Sequence, residues 1–145
     1  MRVLGIDYGD RKIGLAVSDH LGITAQPLSI YRRKTKKEDA AYFKHVVSEY
    51  EVKEVIIGLP LRMDGSSGTR AEKTREFARW LGQVLNLPVS FWDERLTTKQ
   101  ATKILSKQKI PPKIKKDLED QVSAVIILST YLESKRAGSD AGQNS

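Results

Sequence analysis

Apolar residues open the chain in two short bursts. The first is Val3-Leu4-Gly5-Ile6; in the second, Ile13, Leu15 and Val17 alternate with Gly14, Ala16 and Ser18. A short apolar run and a run of period-two alternation, on either side of Gly9 and the polar turn Asp10-Arg11-Lys12, predict a β-hairpin. Thr24 to Tyr31 reads as a third strand, interrupted by Pro27. The period then lengthens. Phe43, Val46, Val47 and Tyr50 recur at helical spacing behind Thr35 and Glu38, which have the spacing of a capping box. Glu54 to Leu59 is almost wholly apolar and suits a strand covered on both faces.

Pro60 to Gly68 is rich in turn formers and reads as a loop. Thr69 and Glu72 suggest a second capping box. The helix behind them carries Phe77, Leu81, Val84 and Leu85 and stops before Pro88. Val89 to Trp92 is a fifth strand and runs into Asp93-Glu94-Arg95. Thr97 and Gln100 suggest a third helix start. Ser106 to Lys116 is basic, contains Pro111-Pro112 and reads as a mobile loop. A last helix is expected from about Asp117 to Glu133, and Ala137 to Ser145 as a frayed tail. No internal repeat is present. Three strands followed by alternating helix and strand predict an α/β fold. Its mixed five-stranded sheet joins a three-strand antiparallel meander to two parallel strands, with helices on both faces.

The length of 145 residues fits one domain, expected over residues 1–136 with residues 137–145 as a tail. The formal net charge of +7 favours a polyanionic partner such as nucleic acid, although many solvated surfaces are this basic. The absence of cysteine excludes disulfides, thiolate zinc sites and cysteine nucleophiles. No apolar run approaches the roughly 20 residues needed to span a bilayer. With no signal-peptide pattern at the start, a cytoplasmic location and no membrane partner are expected.

Three acids fall at suggestive places. Asp7 ends the first strand. Glu94, with Asp93, follows the fifth strand, and which of the two points inward depends on where that strand stops. Asp120 precedes the apolar run from Val122 to Leu128. Each has a plain alternative: Asp7 can bond the turn amides of Gly9 to Arg11, Asp93-Glu94-Arg95 can be a strand-end ion pair, and Asp120 can complement a helix dipole. Asp117 reads as a helix cap or a solvated charge. Taken jointly, Asp7, Glu94 and Asp120 suit a cluster that binds divalent cations. Carboxylates bind Mg²⁺ in octahedral geometry, and two ions can clamp the attacking and leaving oxygens of a phosphodiester.

Four blocks carry a family resemblance: GIDYGDRKIGLAVSD, VIIGLPLRMDGSSG, WDERLTT and LEDQVSAVIILSTYL. In this order they resemble the YqgF/RuvX family of pre-16S rRNA nucleases, earlier labelled Holliday junction resolvases. The resemblance spans Arg2 to about Glu133. It implies a ribonuclease H-like fold and a nuclease that trims the 5′ end of the small-subunit rRNA precursor. It maps the family's acids onto Asp7, Glu94 and Asp120 as catalytic residues and metal ligands, with two Mg²⁺ or Mn²⁺ ions. The partner would be pre-16S rRNA or a precursor of the small ribosomal subunit, and the protein a monomer or homodimer. The family's Ala-Ala pair reads Ser123-Ala124 here. Related resolvases place an acid at the end of the fourth strand; this chain reads Gly58-Leu59-Pro60, which moves the burden to Glu94.

Candidate nucleic-acid contacts are Arg11, Lys12, Arg62, Ser66, Arg95 and Lys113. Gly65-Ser66-Ser67-Gly68 precedes a helix, so its amides could hold a phosphate or simply form a turn. The basic stretches Arg32–Lys37 and Lys107–Lys116 could track a phosphate backbone or stand as solvated loops. Tyr8 could stack on a base or pack at the strand end. Trp80 and Trp92 read as core, and His20 and His45 lack partners at metal-ligand spacing. Three other functions remain open: junction-specific DNA cleavage by a dimer, a non-catalytic rRNA-binding assembly factor, and, from the Asp7-Tyr8-Gly9 hairpin, a nucleotide-binding half of a sugar kinase or actin-like ATPase.

Overall fold

A computed structural model describes residues 1–62, 64–94 and 112–143, with side chains described up to residue 94 and from 121 to 136. Among the described residues, five strands and three helices follow in the order β1 (Arg2–Asp7), β2 (Lys12–Ser18), β3 (Ala25–Arg32), α1 (Lys36–Glu49), β4 (Val52–Leu59), α2 (Thr69–Leu85), β5 (Val89–Asp93) and α3 (Pro112–Gln143). They build one sheet in the order β3-β2-β1-β4-β5. β1, β2 and β3 pair antiparallel, whereas β4 pairs parallel to β1 and β5 parallel to β4. This is the mixed sheet that the alternation predicts.

Each face of the sheet has its own core. Leu4, Ile6, Ile13, Leu15, Val55 and Ile57 pack against Phe43 and Val46 of α1 and Phe77 and Leu81 of α2. On the opposite face Val3, Ala16 and Ile56 pack against Ala124, Ile127, Leu128 and Leu132 of α3. β4 therefore feeds both cores, which explains its unbroken apolar run. Gly5 allows α3 to approach closely: a Cβ there would stand 2.7 Å from Leu128 Cβ. β3 lies at one edge of the sheet and tolerates Pro27, beside an irregularity in its pairing with β2.

Local signals hold at most element ends. Thr35 caps α1, its hydroxyl accepting a hydrogen bond from Glu38 N at 3.2 Å. α2 stops at Asn86, a left-handed cap residue (φ 53°) whose amide donates to the Gly82 carbonyl at 2.9 Å.

Three expectations are corrected. The second capping box does not form: Thr69 is already helical, Gly68 is the N-cap, and the Glu72 carboxylate pairs with Arg75 at 3.0 Å. α3 begins at Pro112 rather than near Asp117, because proline at the first helical position gives up an amide that would have no partner there. Residues 112–116 are thus helical and not part of a loop, and helical backbone continues past Glu133 to Gln143. The stretch Arg32–Lys37 is also less a loop than expected, since Arg32 ends β3 and Lys36 opens α1. The helix expected at Thr97 lies outside the described residues.

Candidate active site at the end of the sheet

Side chains alternate along β1, so Val3, Gly5 and Asp7 share the face covered by α3, while Leu4, Ile6 and Tyr8 share the other. Asp7 is half-buried at the C-terminal end of β1, opposite Gly14 of β2. In the parallel ladder Ile6 is level with Ile57, so Asp7 and Gly58 are the next positions along their strands. Gly58 is in turn level with Trp92 of β5.

β5 ends at Asp93, and Glu94 follows immediately. The Glu94 side chain folds back over β4. A Cβ on residue 58 would lie 2.7 Å from Glu94 Oε1, 2.8 Å from Glu94 Cγ and 2.5 Å from Ile127 Cδ1. Glu94 therefore occupies the α3 face of the sheet. Asp93, level with Leu59, is the last strand residue and precedes it. The carboxylate of Glu94 stands above the strand next to Asp7, one strand spacing (about 4.8 Å) across the sheet.

Position 120 of α3 lies one helical turn before Ala124. α3 passes antiparallel to β1: Leu132 packs in the core of Val3, and Leu128 and Ala124 lie over Gly5. Two residues further along β1 is Asp7, and four residues back along α3 is position 120. These steps are of nearly equal length, about 6.6 Å and 6 Å. The backbone thus brings position 120 to the same end of the sheet; its side chain, like that of Asp117, lies outside those described. Among the described residues, no three acidic, histidine or cysteine side chains form a metal-binding group.

The hairpin turn forms the rim. Asp7, Tyr8, Gly9, Asp10, Arg11, Lys12 and Arg70 line a cleft of about 350 Å³. Gly9 is required by the turn, because a Cβ there would stand 2.5 Å from the Lys12 carbonyl oxygen. Three cations, Arg11, Lys12 and Arg70, thus share one cleft with Asp7. Arg70, on the first turn of α2, is not apparent from the sequence as a neighbour of the hairpin. α2 is tied to that hairpin by Lys73, 3.6 Å from the Asp10 carboxylate.

The remaining candidates are placed as follows. Arg62 packs against Gly68, where a Cβ would lie 3.0 Å from its Nε. Ser66 donates both its amide (2.9 Å) and its hydroxyl (2.6 Å) to Asp64 Oδ1, and the Gly65 amide donates to the Arg62 carbonyl at 2.8 Å. Two of the four amides considered for a phosphate are therefore bonded within the loop. Arg95 lies outside the described residues, and Lys113 stands in the first turn of α3. Tyr8 packs on Phe77 with ring centroids 4.7 Å apart. His45 pairs with Glu49 at 3.0 Å, and the His20 carbonyl accepts from the terminal amine at 3.0 Å. Among the described residues, no helix is long and apolar enough to cross a membrane.

Comparison with known proteins adds four findings. The family model described as "RuvX: Holliday junction resolvase" matches residues 1–134. A "Putative pre-16S rRNA nuclease" of Halothermothrix orenii is 49% identical over 132 residues, covering 91% of this chain and 94% of that one. The protein of the same name from Syntrophomonas wolfei is 44% identical over 140 residues, covering 97% and 99% of the two chains. Among solved structures, RuvC of T. thermophilus in complex with a Holliday junction substrate aligns with a TM-score of 0.60. That alignment covers 94% of this chain and 96% of the other at 16% identity, and so bears on the fold alone.

Proposed function

From the chain's membership of the RuvX family, we propose that this protein is a nuclease that hydrolyses RNA phosphodiester bonds at the end of the sheet where Asp7 and Glu94 meet. Its substrate would be the precursor of 16S rRNA, cut in maturing the 5′ end, and it would act in the cytoplasm. The names of its relatives support this substrate, and the basic rim of Arg11, Lys12 and Arg70 supports a polyanionic one.

One observation carries the reading. Glu94 reaches across Gly58 to stand one strand away from Asp7, on the face that α3 covers. Two carboxylates on one face of the sheet are the hard oxygen donors that Mg²⁺ or Mn²⁺ takes. Asp7 and Glu94 fit such an ion, and Asp120, one turn before Ala124, would complete the set. When bound, the ions would neutralise charge building up on the phosphodiester. Asp7 and Glu94 would orient that charge, and Arg11, Lys12 and Arg70 would hold the flanking phosphates.

The test is cleavage of a labelled precursor RNA with and without Mg²⁺, by the wild type and by Asp7→Asn and Glu94→Gln. Metal-dependent cleavage, lost in both variants while their fold persists, is the expected result. Cleavage that survives in EDTA or in Asp7→Asn would refute the assignment. Cleavage of a four-way DNA junction but not of the precursor RNA would transfer the same acids to the junction-resolving role.

A further inference from the structure

Tyr8 belongs to a second cleft on the opposite side of the hairpin from Asp7. Its lining is Tyr8, Arg33, Lys36, Lys73, Glu76, Phe77 and Trp80, around about 160 Å³. Phe77 is the pivot of the aromatic wall: its ring centroid is 4.7 Å from that of Tyr8 and 5.8 Å from that of Trp80. Against this wall sits a fixed cation. The Arg33 guanidinium lies 5.3 Å from the Tyr8 ring centroid and 5.6 Å from that of Phe77. Its Nη1 donates to the Tyr8 hydroxyl at 2.8 Å, and its Nε is 3.5 Å from Asp39 Oδ2. Asp39 is 1% exposed and is itself held by Tyr31 and by the Lys34 amide. The cation is therefore positioned before any ligand arrives. Lys36 and Lys73 are exposed at the rim; Lys73 also lies 3.6 Å from Asp10, and Glu76 is the carboxylate that lines the cleft itself.

We propose that this cleft binds a single-stranded segment of the polynucleotide substrate, one base stacking on the half-buried Trp80, which the buried Phe77 ring backs, and adjoining phosphates on Lys36 and Lys73. Aromatic walls with cationic rims are the means by which proteins hold unpaired strands without reading sequence. The volume is below the roughly 300 Å³ at which pockets enclose whole small ligands, which suits one unit of a polymer. Continuity gives the polymer its path. Tyr8 lines both this cleft and the Asp7 cleft, and Arg70 and Lys73, three residues apart on α2, line one each. A strand whose reacting phosphate lies at Asp7 would pass over the hairpin turn and place its flank here. This inference rests on the nuclease reading for the identity of the strand, but its binding chemistry does not require cleavage.

The experiment uses the fact that the chain has two tryptophans. Trp92→Phe leaves Trp80 as the single reporter, and it removes a buried Nε1 that has no hydrogen-bond partner among the described residues. That protein is titrated in EDTA with a single-stranded RNA oligonucleotide of mixed sequence. The expected result is saturable quenching of Trp80 emission, and the same with single-stranded DNA, because stacking and phosphate contacts are indifferent to the sugar. Adding Lys36→Ala and Lys73→Ala should lower the slope of log affinity against log salt by about 1.4, at roughly 0.7 per lost phosphate contact. Binding without quenching, no binding, an unchanged salt slope, or equal quenching by fully duplex RNA would each overturn the proposal. Since no divalent ion is present, a protein that binds in this way yet never cleaves RNA would refute the nuclease reading and leave this one standing. Cleavage without Trp80 quenching would do the reverse.

Discussion

Glu94 fills the space that any side chain on Gly58 would need: a Cβ at position 58 would sit 2.7 Å from the Glu94 carboxylate oxygen and 2.5 Å from Ile127 Cδ1. The two positions are complementary. The end of β4, which carries no acid of its own, leaves room for the carboxylate that follows β5.

Gly58→Ala should therefore act on activity more than a core methyl ordinarily would. The added Cβ must push Glu94, Ile127 or both aside. Overpacking of this kind costs about 1–3 kcal/mol of stability. Displacing the carboxylate by about 1 Å should cost on the order of 10²-fold in cleavage rate. Thermal unfolding and single-turnover cleavage measured on the same preparation separate the two effects. A variant that loses stability but keeps its full rate would show that the position of Glu94 is irrelevant to the reaction.

Asp7 and Glu94 stand on the same face one strand apart, so a shared divalent ion should stabilise the native chain. At an ion concentration ten times its dissociation constant, the gain is about 1.4 kcal/mol by mass action. It should appear as a higher unfolding midpoint in Mg²⁺ than in EDTA. Asp7→Asn removes one ligand, so the Mg²⁺ increment should shrink. An increment of the same size in Asp7→Asn would place the ion elsewhere.

Much of this arrangement was legible in the sequence, and the exceptions have a common cause. The hairpin, the cap at Thr35 and the doubly covered β4 follow from local periodicity and spacing, and the structure has all three. The choice between Asp93 and Glu94 does not, because it turns on the last residue of a strand. The structure ends β5 at Asp93 and sends Glu94 over Gly58. A glycine whose role is to vacate space for a residue that follows another strand leaves no mark nearby in the sequence. Thr69 shows the opposite failure: its spacing to Glu72 is that of a cap, but the helix takes Gly68 as its N-cap instead. Arg33 read as part of a solvated basic stretch, and only the tertiary fold brings Asp39 and Tyr8 to it.

Asp39 is the most committed charge in this part of the molecule. It is 1% exposed, accepts from Tyr31 Oη at 2.6 Å and from the Lys34 amide at 2.9 Å, and pairs with Arg33 at 3.5 Å. Asp39→Ala would leave a buried hydroxyl and an amide unsatisfied and release Arg33 from its place on the Tyr8 ring. A loss of about 3 kcal/mol is expected. Because α1 is amphipathic and packs elsewhere through Phe43 and Val46, the fold should survive, with a lower denaturation midpoint and an unchanged denaturant slope. A loss under about 1 kcal/mol would mean that water replaces the carboxylate without penalty.

The same network sets how stability changes in alkali. Burial, and then the hydrogen bond to the Asp39 carboxylate, push the Tyr31 phenol from its ordinary 10.0 up to about 12. The fold therefore favours the neutral phenol. Its stabilising contribution is fully present below about pH 10 and is lost as the pH rises through about 12. The phenolate absorbance of the wild type minus that of Tyr31→Phe should isolate this titration. Asp39→Asn removes the negative charge and leaves the burial, so it should move the titration part of the way back toward 10. If Tyr31 instead ionises at its ordinary value in the folded protein, its contact with Asp39 is not a closed, water-excluded hydrogen bond, and the carboxylate that pairs with Arg33 is held by the Lys34 amide without the phenol.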